Sequence, residues 1–157
     1  MSNVKILLAE PGVLGMTKPE IDSFLGTGKM IMRLATVDIK GDPVIHPVWY
    51  LLYEKDRIYL FTGNNRKLQN ITRKGRVYFS IDTDAMPNKG VKGKGTARVI
   101  SEEGKRVSIG EKIVRKYMED SKTEYAKALL GYVRGSKSNV VEIAPRYYTV
   151  WDYSKMM

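Results

Sequence analysis

The sequence predicts a mainly β, α+β domain built round an antiparallel barrel. Three observations carry this. Strand-like apolar runs follow one another through residues 30–81 with only short polar turns between them. Glycines interrupt the strand-like run 91–100, as at bulges and barrel corners. Amphipathic helical stretches are few and lie between strand runs rather than alternating with each one.

Each element has its own warrant. Thr17-Lys18-Pro19-Glu20 opens a helix: Thr17 suits a cap, Glu20 the reciprocal position and Pro19 the first turn. Ile21, Phe24 and Leu25 make its apolar stripe, and Gly26 and Gly28 end it, so the helix spans 17–26. The first strand of the meander covers about Met30–Val37, and Asp38–Pro43 is a turn cluster. Val44–Tyr53 is apolar at nearly every position, which predicts one strand covered on both faces. Lys55-Asp56 turns the chain into the strand Ile58–Thr62. After Gly63-Asn64-Asn65, Leu68 and Ile71 repeat at helical spacing to about residue 73. Val77–Ile81 and Val91–Ile100 are the next strands, joined by the polar segment Asp82–Gly90. A helical insert over about 104–131 carries Val107, Ile113, Val114 and Tyr117, then Tyr125, Leu129 and Leu130, stopping near Gly131. Asn139–Ile143 and Tyr147–Tyr153 close the chain as two strands on either side of Pro145.

Composition narrows the function. A chain of 157 residues suits one domain, 1–157, with a core large enough to need no crosslinks. Cysteine is absent and His46 is the only histidine, so disulfides, thiolate metal sites and histidine metal clusters are excluded. The apolar run Ile6–Ala9 is too short for a signal or membrane segment, and the expected address is the cytoplasm. Net charge is +10, which attracts anions, from nucleic acids to phosphorylated small molecules. A lysine-rich solvated surface accounts for the same charge, and the basic residues form no long run.

The chemistry concentrates after the strand Ile58–Thr62. A sheet that delivers a basic loop and a helix start to one place makes a phosphate pocket. Arg66 offers paired donors and Lys67 a point charge. Adjacent basic residues are also common on solvated surfaces. His46, before Pro47, is either a hydrogen-bonded structural residue or a ligand contact. Thr62 is a β-branched strand residue or a hydroxyl aimed into the pocket. Trp49 and Trp151 are core residues or packing surfaces for a flat ring.

At these residues a family resemblance enters. Leu34-Ala35-Thr36-Val37-Asp38, Gly41-x-Pro43, Tyr59-Leu60-Phe61-Thr62, Arg66-Lys67 and Arg76-Val77 together resemble the pyridoxamine 5'-phosphate oxidase-like, FMN-binding split-barrel superfamily. Gly93–Arg98 is similar to its glycine-containing strand and Trp151-Asp152 to its frequent ending. The resemblance implies a homodimer of six-stranded antiparallel split β-barrels with flanking helices and two flavin sites in the interface. It places the flavin phosphate on Arg66 and Lys67, a flavin contact on Thr62, and the ring along His46, Pro47, Val48 and Trp49. Phe61 and Trp151 complete the expected cofactor-binding set.

The departures from that pattern are informative. Leu51 stands where the oxidase proper carries a substrate-phosphate lysine, Gly90 where it carries a flavin-contacting glutamine, and no Arg-x-His signature follows. These argue against oxidation of pyridoxine phosphate and for a short, divergent FMN-dependent oxidoreductase. Two alternatives stay open: a deazaflavin-dependent reductase on the same fold, and a non-catalytic flavin or haem carrier or nucleic-acid-binding barrel.

Overall fold

The strand that organises the sheet is also its longest. The computed structural model describes residues 4–156, and in it β8 (Asn139–Asp152) hydrogen-bonds to three others. Its residues 141–152 pair antiparallel with β7 (Lys89–Val99). Its first residues, 139–143, pair antiparallel with β5 (Arg57–Thr62), and residues 147–150 pair parallel with β1 (Lys5–Leu8). Outward from β7 come β6 (Arg76–Asp82), β2 (Met32–Val37) and β3 (Pro43–Val48). Outward from β5 comes β4 (Leu51–Tyr53). The sheet curls into a half-barrel of antiparallel strands, β1 excepted. A register shift at Lys94/Gly95, opposite Pro145, bends the central pair.

Burial alternates along the strands with the two-residue period of a sheet. Met32, Leu34, Val77, Phe79, Ile81, Val91 and Val150 face the hollow of the sheet, where α1 (Lys18–Gly26) adds Ile21 and Leu25. Thr17 caps α1: its side chain accepts from the Glu20 amide, and its own amide donates to Glu20 Oε2 at 2.7 Å. Three more helices complete the fold: α2 (Arg66–Arg73), α3 (Glu103–Tyr117) and α4 (Glu124–Arg134). Ile109 and Ile113 of α3 pack on Tyr59 and Val140, and α4 packs on α3 through Leu130 and Val133.

Five details depart from the sequence-based expectation. The apolar stretch 44–53 is two strands on opposite edges of the sheet, joined by Trp49-Tyr50. The Tyr50 amide leaves the ladder to donate to Tyr117 Oη at 3.2 Å, and its hydroxyl donates to the Leu25 carbonyl at 3.0 Å. Nor is β3 covered on both faces: Ile45 is 71% exposed. The helix α4 passes through Gly131 to Arg134. Pro145 does not divide the closing strand, and residues 5–8 add a strand that the short apolar run did not announce. No helix among the described residues is long and apolar enough to cross a membrane.

Candidate functional site

Thr62 ends β5, and three residues later Asn65 starts α2. Asn65 does two jobs. Its Oδ1 accepts the Leu68 amide at 3.3 Å, capping the helix, and its Nδ2 donates to Thr62 Oγ1 at 3.0 Å. Lys67 Nζ reaches the same hydroxyl at 3.4 Å. Lys67 is thus folded back against the strand end, half-buried, with no carboxylate in ion-pair range among the described residues. Burial pushes its pKa below the ordinary lysine value. Gly63 lets α4 close on the loop, since a Cβ there would lie 2.7 Å from Tyr132 Oη.

Beside Lys67 lies a cavity of about 350 Å³. Pro47, Val48 and Trp49 wall it on one side, Phe61 on another, and Tyr125 and Leu129 of α4 on a third. Trp49 stacks on Tyr117, with ring centroids 4.7 Å apart and planes 3° from parallel, and meets Phe61 edge-on at 6.3 Å. Tyr117 Oη donates to the Met30 carbonyl at 2.6 Å. The end of α3 therefore clamps the Trp49-Tyr50 crossing to the segment that leads into β2. Lys116 adds to the clamp: its Nζ donates to the Tyr50 carbonyl at 3.0 Å and sits 3.7 Å from the Tyr50 ring centroid. Burial lowers the Lys116 pKa to about 8 and pushes Tyr117 up to about 12.

His46 adjoins this wall on β3. Its Nε2 is 2.9 Å from Thr36 Oγ1. Burial first, and the positive charge of Lys67 second, hold its pKa below the usual histidine value. Of the nine expected contact residues, Pro47, Val48, Trp49, Phe61 and Lys67 line one cavity, and Thr62 and His46 border it through Lys67. Arg66 is exposed at the first position of α2, outside the lining. Trp151 is elsewhere in the fold, near the far end of β8 from Asn139, the residue that faces Thr62. Its Nε1 donates to Asn88 Oδ1 at 2.5 Å and its ring covers Gly90, where a Cβ would meet Cζ2 at 2.3 Å.

Tyr117, Tyr125 and Leu129 are helix residues that sequence reasoning left out of the site. Their only signal is helical spacing, and the same spacing marks an ordinary core stripe. Among the described residues no group of three histidine or acidic side chains is placed to hold a metal.

Comparison with known proteins places the chain in a family and a fold. A family model described as pyridoxamine 5'-phosphate oxidase matches residues 17–152. Comparison with curated proteins finds no match. Among solved structures, the chain is similar to a conserved hypothetical protein from Mycobacterium tuberculosis, with 25% identity and a TM-score of 0.78 over 94% of this chain and 91% of that one. It is similar to an F420 reductase at 16% identity, with a TM-score of 0.64 over 82% and 94% of the two chains. It is also similar to an FAD-binding protein from Mesorhizobium loti at 17% identity, with a TM-score of 0.63 over 88% and 96%. The last two likenesses concern the fold.

Proposed function

Because the chain belongs to the pyridoxamine 5'-phosphate oxidase family, we propose that it is an FMN-binding oxidoreductase that passes hydride or electrons to a small molecule. The observation that carries this is Lys67, a half-buried cation with no carboxylate partner among the described residues, set at a capped helix start beside an aromatic cavity. An ammonium and the free amides of a helix N-terminus suit a phosphate. Trp49, Pro47 and Phe61 offer apolar faces to a flat ring system. A cavity of about 350 Å³ falls at the small end of ligand sites, which run from roughly 300 to 1,000 Å³. Arg66, free at the helix start, reaches the same phosphate from the solvent side.

The flavin, when bound, supplies the electron chemistry. The protein needs no acid–base pair of its own for that step. Lys67, with Thr62 and Asn65 fixing its position, holds the phosphate. The Trp49–Tyr117 stack keeps the wall flat and, with Phe61, excludes water. In the same reading the protein is a homodimer that joins through the outer face of β3, β2 and β6.

The test is a titration of the protein with FMN, read by quenching of flavin fluorescence. Saturable binding in the micromolar range is expected. Changing Arg66→Ala and Lys67→Ala together should weaken it about tenfold or more, since each charge-assisted phosphate bond contributes roughly 1.5–3 kcal/mol. Unchanged affinity in the double variant rejects this phosphate site.

A second reading keeps the pocket and exchanges FMN for a deazaflavin with an acidic tail. The net charge of +10 and the likeness in fold to an F420 reductase favour it. Parallel titrations with the two cofactors separate the readings by relative affinity.

A further inference from the structure

The pocket described so far gives His46 no defined part, and the residues behind it supply one. Thr36 on β2 is 1% exposed, and its hydroxyl oxygen has two hydrogen-bond partners among the described residues. One is His46 Nε2 at 2.9 Å and the other is Asn70 Nδ2 at 3.0 Å. The orientation of the Asn70 amide follows from Arg73. Arg73 Nη2, which only donates, lies 3.3 Å from Asn70 Oδ1 and 2.7 Å from the Val37 carbonyl. Turning the amide over would set two donors face to face at Arg73.

The direction of each bond then follows in turn. Arg73 donates to Asn70, and Asn70 donates to Thr36. The Thr36 oxygen already receives a hydrogen, so its own hydroxyl hydrogen points to the remaining partner, His46 Nε2. The reverse arrangement would leave that hydroxyl hydrogen buried and unpaired, which costs free energy. A neutral imidazole that accepts at Nε2 carries its proton on Nδ1. Among the described residues, His46 Nδ1 has no hydrogen-bond partner, and Lys67 is near enough for its charge to act on the ring.

We propose that the Arg73–Asn70–Thr36 relay locks His46 as a neutral Nδ1–H donor that presents one hydrogen bond, beside Lys67, to an anionic oxygen of the bound cofactor. His46 is then a binding residue, and Thr36 and Asn70 are positioning residues that act through it. The site gains a donor without gaining a second buried cation. The identity of the acceptor rests on the flavin reading above, whereas the locked tautomer does not.

The tautomer is read directly by nitrogen NMR of the imidazole in cofactor-free protein near neutral pH. A single histidine gives one pair of ring resonances. The expected spectrum has Nδ1 protonated and Nε2 bare. Thr36→Val, which removes the hydroxyl and keeps the shape, should shift the ring towards the Nε2–H form, and Thr36→Ser should retain Nδ1–H. A wild-type ring protonated on Nε2, or a Thr36→Val spectrum unchanged from wild type, overturns the relay. The wild-type measurement decides this even where a variant fails to fold. The donor role is read from FMN affinity, which His46→Ala should lower about tenfold; unchanged affinity in that variant overturns it. Should FMN fail to bind wild type while the Nδ1–H spectrum is observed, the flavin reading and the acceptor fall and the lock stands.

Discussion

Lys116 is the residue whose protonation matters most to the wall of the cavity. Its ammonium is held between the Tyr50 ring and the Tyr50 carbonyl, at the point where the chain leaves one sheet edge for the other. Burial sets its folded pKa at about 8, against an ordinary value of 10.5. Between those values the unfolded chain binds more protons than the folded one, so this group makes stability rise with pH. The buried tyrosines Tyr50, Tyr59 and Tyr148 act in the opposite direction, but only above their ordinary value of 10.0. Melting temperature followed from about pH 8 to about pH 9.5 therefore avoids the opposing effect of these three tyrosines. Lys116→Met should flatten that rise, and an identical slope in wild type and variant would refute the assignment.

At the scale of the element, close approach decides what a strand tolerates. Gly90 on β7 lies under Trp151 and beside Asp82, with a virtual Cβ 2.3 Å from the ring and 2.6 Å from Asp82 Cβ. Gly90→Ala should destabilise the protein by about 1–3 kcal/mol, through overpacking, and change the fluorescence of Trp151. Thermal unfolding and emission spectra check both effects. The same scale shows what the sequence made legible. Strands with strict alternation, such as β2 and β6, were readable because their periodicity is local. The break between β3 and β4 was not, because it is made by Tyr117 and Lys116, distant residues that capture the Tyr50 backbone. Pro145 looked like the end of a strand. It is tolerated because β5 pairs only as far as Ile143 and β1 only from Tyr147, so no neighbour on that side asks for its missing N–H. The site divides in the same way. Lys67 and Thr62 follow one another along a strand, a loop and a helix start, whereas Tyr125 and Leu129 come to the cavity only through the packing of α4.

For the whole molecule, the outer face of the sheet carries the unassigned surface. Ile45 is 71% and Tyr78 48% exposed there, and with Tyr147, Arg33 and Lys92 they line a hollow of about 530 Å³. An apolar patch of this kind on a chain otherwise rich in charge fits the proposed homodimer. Sedimentation equilibrium should give twice the chain mass of 17.8 kDa, and Ile45→Glu should return it to the single value. A wild-type protein sedimenting at the single mass would remove the dimer.

The placement of β8 also constrains how the protein is made. β7, β5 and β1 all await a partner that leaves the ribosome after them. Until β8 has emerged, the β4–β5 hairpin has no bridge to the remaining strands, and backbone edges of β7, β5 and β1 stay open to neighbouring polypeptides. Synthesis thus passes through an aggregation-prone stage while β8 is still missing, when chaperone protection counts most.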